Sequence, residues 1–398
     1  RAKIVAALAG MNADIYGLME IQNDEGESTA DLVAGLNDIF DDGTYSYIDT
    51  GYIGTDAIKL TLIYKPASVE PIGEFAILDS TVDDRFLDDY NRPTLAQTFM
   101  DVETGGIFTM AVNHLKSKGS DCNDIGDPDV LDGAGNCNIT RTLAAQALVD
   151  WLATDPTGSG DMDYIIIGDL NSYDKEDPID AILAGPDDMM GTEDDYTDLI
   201  FHFLGENAYS YVFDGQIGYL DHALASANLF DEVAGTGIWH INADEADLID
   251  YDMSFKLDAQ DALYAPDQFR SSDHDPVMIG LNVCDEIAPV FTTLSVTPDT
   301  LWSSNHKYVE VIATAEASDN FDPNPTITLV SVTSNEPDDG EDDGKTVDDI
   351  VIIDDYTFWL RAERSGIGTG RIYTITYMVT DACGNYTIQE VYVTVPLS

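Results

Sequence analysis

From Arg1 to about Asn282 the apolar positions switch repeatedly between helical and strand spacing. Ala2 to Ala9, Asp31 to Phe40 and Arg141 to Leu152 carry the helical period, whereas the short unbroken runs Leu60 to Tyr64, Ile107 to Val112 and Tyr164 to Ile167 predict buried strands. Strands that are apolar on both faces need cover on both faces, so this part reads as a layered α/β domain. From Asp285 onward the helical period is gone. β-Branched residues dominate Thr292–Thr297, Tyr308–Ala313, Thr326–Thr333, Tyr356–Leu360, Arg371–Thr380 and Tyr386–Val395, with turn residues between them. About seven short strands in roughly 110 residues is the pattern of an all-β immunoglobulin-like sandwich. The change of texture falls at Val283-Cys284-Asp285, which divides residues 1–283 from 284–398.

Composition sharpens this picture. Of 398 residues 44% are apolar, enough for ordinary cores, so charge-driven disorder is excluded. The 75 Asp and Glu against 17 Lys and Arg leave a formal charge of -58, which excludes a general nucleic-acid binder working through a broad basic face. At high ionic strength the Debye length shrinks to a few Å and self-repulsion is screened, which fits a halophilic or marine setting. Four cysteines stand at 122, 137, 284 and 383 without a Cys-x-x-Cys or a neighbouring His pair. That pattern predicts the disulfides Cys122–Cys137 and Cys284–Cys383 and an extracellular protein, four free buried thiols being the alternative. No apolar run approaches 18 residues, so no membrane span is expected. The chain opens on a helix without an initiator Met or a signal peptide, which reads as a processed or truncated start.

Five polar islands close apolar strands in the first domain, where α/β folds place their sites. They are Asp14 to Asn23, which holds Glu20; Ala111 to Lys118, which holds His114; Ile165 to Ser172, with Gly168-Asp169-Leu170-Asn171; Gly218 to Ser226, with Asp221; and Arg270 to Val277, with Ser272-Asp273-His274-Asp275-Pro276. Taken alone each has a bland reading as a strand end, a surface histidine or a turn. Taken together and in this order they resemble the endonuclease/exonuclease/phosphatase superfamily. The longer strings Asn-His-Leu-Lys-Ser-Lys-Gly-Ser, Tyr-Ser-Tyr-Val-Phe-Asp-Gly-Gln and Tyr-Leu-Asp-His-Ala-Leu resemble its branch of bacterial secreted extracellular nucleases.

The resemblance covers roughly residues 1 to 282 and implies a four-layered α/β sandwich of the deoxyribonuclease-like type. It implies a divalent-metal-dependent hydrolase of phosphodiesters with Mg²⁺ or Mn²⁺ as cofactor. Glu20 would bind the metal, with Asp273 completing its shell through water. His274 would be the general base, oriented by Asp221, while Asp169 would position the water or serve the leaving group. Asn171 would donate to the phosphate and His114 to a non-bridging oxygen, with Asp56 a suggested partner of His114. Arg92, Lys116, Lys118, Arg141 and Arg270 supply most of the positive charge near these islands and are expected to track phosphate. The family's first strand, which brings an Asn to the metal, is expected upstream of Arg1.

Further acidic runs invite a calcium reading beside the plainer one of solvated loops. Asp187, Asp188, Asp194 and Asp195 resemble a short structural Ca²⁺ loop, and Asp124, Asp127, Asp129 and Asp132 lie between Cys122 and Cys137. The run Glu336 to Asp343 reads as a flexible tip, and His202, His222, His240 and His306 as structural histidines. The C-terminal module resembles those of bacterial surface and secreted proteins and is expected to act as a spacer or adhesion unit with cell-surface or further-domain contacts. The expected activity is that of a monomeric, secreted endonuclease of loose specificity, with DNA rather than RNA as partner. The alternatives are another phosphoesterase, sphingomyelinase-like or inositol-phosphate-type, and a decayed nuclease serving adhesion.

Overall fold

Of the strands expected from unbroken apolar runs, Ile107–Val112 and Tyr164–Ile167 lie at the centre of a six-stranded sheet and Leu60–Tyr64 at the centre of a three-stranded one in the computed structural model, which describes residues 1–338, 344, 346–367 and 369–397. The chain divides into two compact units, Arg1–Val283 and Cys284–Ser398. In the first, the six-stranded sheet has the order Val69–Leu78, Arg92–Asp101, Ile107–His114, Tyr164–Asp169, Asp221–Ser226, Tyr196–Asp198. Only the Ile107–His114 and Tyr164–Asp169 pair is parallel. The connection between these two carries the helix Asn138–Leu152, as a parallel crossover requires. A second, three-stranded sheet pairs Ile15–Gln22 with Ile58–Tyr64 and then Ser46–Tyr47.

Three buried clusters set the layering. Val5, Leu8, Leu32 and Leu36 of the helices Ala2–Met11 and Glu27–Ile39 pack on Tyr16 and Ile63 of the small sheet. Leu60 and Leu62 meet Phe99, Phe108, Val112 and Ile165 between the two sheets. Leu148, Leu152, Ile179 and Ile182 cover the far face of the large sheet at Ala96, Ala111, Ile166 and Leu224. The order is therefore helix, sheet, sheet, helix, and each fully buried Leu or Ile contributes roughly 1.5–3 kcal/mol.

Arg141, on the helix Asn138–Leu152, has no solvent exposure. Its guanidinium donates to the carbonyls of Lys116, Asn136 and Ala134 and to Ser172 Oγ, at 2.7–3.1 Å. It therefore holds the loop after His114 in place, and the expectation that it tracks phosphate is corrected. Cys122 and Cys137 are bonded, and Asp127 between them accepts from Thr140 N and Thr140 Oγ1, capping the start of the helix. Asp127 is thereby assigned to structure, not to calcium. The loop with Asp187, Asp188, Asp194 and Asp195 also turns inward: Asp194 accepts from Asp187 N and Thr192 Oγ1, and Asp195 from Gly191 N. Asp187, Asp194 and Asp195 each present an oxygen 2.7–3.3 Å from Thr192 Oγ1.

The second unit is all-β. Strands Val290–Thr297, Tyr308–Ser318, Thr357–Arg361 and Ile350–Ile352 form one antiparallel sheet, and Thr326–Ser334, Arg371–Thr380 and Tyr386–Val395 another. Val311, Phe358, Leu360, Tyr373, Ile375 and Val393 fill the core between them. Cys284 and Cys383 are hydrogen-bonded to each other and not joined in a disulfide, a correction to the expected bridge. Burial and that hydrogen bond raise the Cys383 thiol to about 12, which keeps it protonated. Asp285, Asp319 and Asp381 also meet here, with oxygens within 4.8 Å of one another. Of the acidic run at 336–343, residues 339–343 lie outside the described residues.

The Cys122–Cys137 bond closes a loop with a sequence separation of 15, so breaking it removes up to about 3 kcal/mol from the first unit. The double variant Cys122→Ser/Cys137→Ser is expected to unfold at lower urea, with a slope equal to or slightly above the original because its unfolded chain is less constrained. An unaltered midpoint would contradict this.

Candidate active site

Three of the five islands meet at one end of neighbouring strands of the six-stranded sheet, and backbone geometry explains why. The parallel register sets His114 beside Asp169, and the antiparallel register sets Asp169 opposite Asp221. Gly168 makes this approach possible. Its φ is +127°, and a Cβ there would lie 2.0 Å from the Asn113 carbonyl oxygen. Past the sheet edge, Leu115 N donates to Asp169 O and Leu170 N to Leu220 O, while the side chains of Leu115 and Leu170 are fully buried.

Glu20 comes from the other sheet. The pairing of its strand jumps from Leu18 opposite Thr61 to Ile21 opposite Lys59, a bulge in which Glu20 takes φ +58°. Bulges re-aim side chains, and this one leaves the Glu20 carboxylate 68% exposed, 4.0 Å from His114 Nε2.

His274 Nδ1 donates to Asp221 Oδ2 at 2.7 Å. The same oxygen accepts the hydroxyl of fully buried Ser210 at 2.6 Å. Asp275 fixes the loop behind His274 by accepting from Ile241 N, Asn242 N, Ala243 N and His240 Nδ1. Tyr211 lays its ring on the imidazole, with centroids 4.4 Å apart. Ser210, Tyr211 and Asp275 escaped the sequence reading. The first two lie in the nuclease-like string Tyr209 to Gln216 and the third between the island's His and Pro, so position was a signal but role was not.

Asp169 lies 3.5 Å from His114 Nε2 through its Oδ2. Asn171, at φ +48°, donates its backbone N–H to Asp169 Oδ1, and its amide donates to Asp169 Oδ2 and to the Leu115 carbonyl. Both amide hydrogens have acceptors, so Asn171 clamps Asp169; the expected donation to phosphate is corrected. Asp56 pairs with Arg92 at 3.0 Å and not with His114.

The charges respond to this crowding. Burial and then the Asp221 carboxylate push Asp169 up to about 7. Burial, reinforced by Arg92 and His274, pulls His114 down to about 3 and holds it neutral. Burial also acts to lower His274, but Asp221, Asp169 and Asp273 outweigh it and raise it to about 10. The carboxylates of Glu20, Asp169 and Asp273 are hard oxygen donors, and the surplus negative charge among them is what a divalent cation neutralises. Asp169, Asp221 and His274 also bring ligand atoms within 4.8 Å of one another, a cluster that could hold a metal ion.

The remaining predicted cations are engaged within the protein. Lys118 pairs with Glu176 and lies 4.6 Å above the Tyr173 ring. Lys116 Nζ bonds to Ser120 Oγ. Arg270 donates to Asn242 O and Asp247. His222 is buried against Ser172 O, away from the cluster.

No family model matches the chain, and no curated protein is similar to it. Solved structures are. An endonuclease/exonuclease/phosphatase family protein of Bacteroides thetaiotaomicron is 16% identical over 60% of this chain and 77% of its own, with TM-score 0.42. A mannosyl-6-phosphatase of the same species is 16% identical over 71% and 90%, with TM-score 0.45. The human nocturnin catalytic domain with bound sulfate is 15% identical over 60% and 76%, with TM-score 0.41.

Because Asp169 keeps its proton more tightly when folded, the unfolded chain holds fewer protons as pH rises from about 4 to 7, and this group's share of stability falls over that window. Asp169→Asn is therefore expected to raise the melting temperature of the metal-free protein by at least about 2 °C at pH 8 and to change it little at pH 4. Thermal melts in EDTA at the two pH values decide the point, and a variant that loses stability at pH 8 contradicts it.

Proposed function

We propose that the first unit is a divalent-metal-dependent nuclease that hydrolyses phosphodiesters of extracellular DNA, cutting within the strand and with little sequence preference. The observation that carries this reading is the Asp221–His274 pair at 2.7 Å, set beside Asp169 and His114 with the Glu20 and Asp273 carboxylates in reach. In its neutral form, which a cation offsetting the carboxylates that raise it to about 10 would favour, His274 can take the proton of the attacking water at Nε2, while Asp221 holds the tautomer and stabilises the resulting imidazolium. Neutral His114 can donate from Nε2 to a non-bridging oxygen. Asp169, close to neutrality in its proton affinity, can pass a proton to the leaving oxygen. A divalent cation, when bound by Glu20 with Asp273, supplies the positive charge that the phosphoryl oxygens require in the transition state.

The Cys122–Cys137 bond supports an oxidising, extracellular location. The second unit is read as an immunoglobulin-like spacer or adhesion module with no part in the chemistry.

Plasmid nicking tests the proposal. Nicking with Mg²⁺ or Mn²⁺ should stop with EDTA and fall by about 10³-fold or more in His274→Ala. Intact plasmid with metal-loaded protein would refute the nuclease reading, and turnover of sphingomyelin or an inositol phosphate instead would identify the alternative. With a formal charge of -58, cleavage should also rise from low salt towards marine salt before it declines. A steady fall from the lowest salt would show that repulsion does not limit binding.

A further inference from the structure

The ring of Tyr211 continues away from the active site into an aromatic surface that the proposed chemistry does not use. Tyr211–Phe213 and Gln216–Gly218 form a hairpin closed by Asp214 and Gly215, both at positive φ. Tyr211 and Phe213 are two residues apart on one strand and so share a face. Their rings are within 14° of parallel with centroids 6.5 Å apart, close to twice the roughly 3.4 Å rise between stacked bases. Phe213 is 60% exposed. Opposite Tyr211 stands Gly218, which raises no side chain; a Cβ there would lie 2.6 Å from the Tyr173 ring. The result is a run of aromatic groups from His274 through Tyr211 to Phe213, flanked by Tyr173.

An exposed aromatic pair beside a phosphodiester site answers a problem set by the charge. Arg92, Arg141, Arg270 and Lys118 are tied to acids or carbonyls, so attraction to phosphates is weak around the site. Base stacking needs no cation and is tolerant of sequence. A stacked base must be unpaired, or leave its partner. We propose that Tyr211 and Phe213 form a stacking subsite for one unpaired nucleobase next to the scissile phosphate, so that the substrate is nucleic acid with single-stranded or opened nucleotides. This rests on the nuclease reading above. A membrane surface is the less suited occupant: Ile217, the other exposed apolar residue of the hairpin, pairs with Val212 and lies on the opposite face from Phe213.

The test compares two single-stranded oligodeoxynucleotides of one length, identical except that an abasic residue flanks the cleaved bond in the second. The full-length protein should cut the base-bearing strand with a higher kcat/KM. Phe213→Ala should shrink that preference by about tenfold, and Phe213→Trp should restore it. A wild-type protein without preference, or a preference that survives Phe213→Ala, overturns the subsite. If neither strand is cut while plasmid is nicked, the subsite is overturned; if plasmid also stays intact, the nuclease reading fails, and the subsite is read from binding. In EDTA, the added fluorescence of Phe213→Trp should be quenched by octathymidylate and not by an abasic octamer. Equal response to both overturns it, as does loss of phosphatidylcholine vesicle binding in Phe213→Ala with its nucleotide preference intact.

Discussion

Two carboxylates face each other where adjacent strands end, and most of the site is arranged around that fact. Like charges directly opposite on neighbouring strands are destabilising. The sheet register nevertheless places Asp169 against Asp221, both at least nine-tenths buried. Each carboxylate is then given different company. Asp221 receives His274 and Ser210 on one oxygen, and Asp169 receives Asn171 from backbone and side chain. That asymmetry gives Asp221 an imidazole to orient, while Asp169 holds a proton near neutral pH. Environments that push two acids apart separate their roles.

The same economy of charge governs the cations. A chain with 17 Lys and Arg against 75 acids could place its few cations around the substrate, which is what sequence proximity suggested. The structure uses them differently. Arg141 is surrounded by three carbonyls and a hydroxyl, and its loss would leave those acceptors buried and unpaired. Arg270 closes on Asp247 and Asn242 O, and so ties down the segment that leads to Asp273 and His274. These guanidiniums shape the loops that carry the candidate site residues, so few cations around the site are left unengaged by the protein itself.

Much of this was legible in the sequence. The unbroken runs at 107–112 and 164–167 could only be buried strands, and polar residues at their ends marked His114 and Asp169 as candidates. What was illegible depended on direction. Nothing in Leu18-Met19-Glu20-Ile21 announces a bulge, because the two-for-one pairing is decided by the partner strand. Asn171 looked like a donor to substrate by analogy, but its amide faces Leu115 O and Asp169 once the chain turns at positive φ. Ser210 is a plain serine until the register brings it to Asp221. Cysteine spacing succeeded for the pair 15 residues apart and failed for Cys284 and Cys383, since an even count cannot report whether two sulfurs have bonded.

The position of Glu20 on a different sheet makes the site a seam. Asp169, Asp221 and His114 move with the large sheet, whereas Glu20 moves with the small one, and neither set is complete without the other. What fixes their distance is the apolar layer between the sheets, where Met19, next to Glu20, packs with Leu60, Val112 and Ile165. Gly17 belongs to the same seam, since a Cβ on it would come within 2.5 Å of Ile167 and 2.9 Å of Val112. Close-packed interiors transmit volume changes of a methylene or less. A side chain enlarged in this layer would therefore shift Glu20 relative to Asp169 without touching either, so the core between the sheets sets the geometry of the chemistry as well as the stability of the fold.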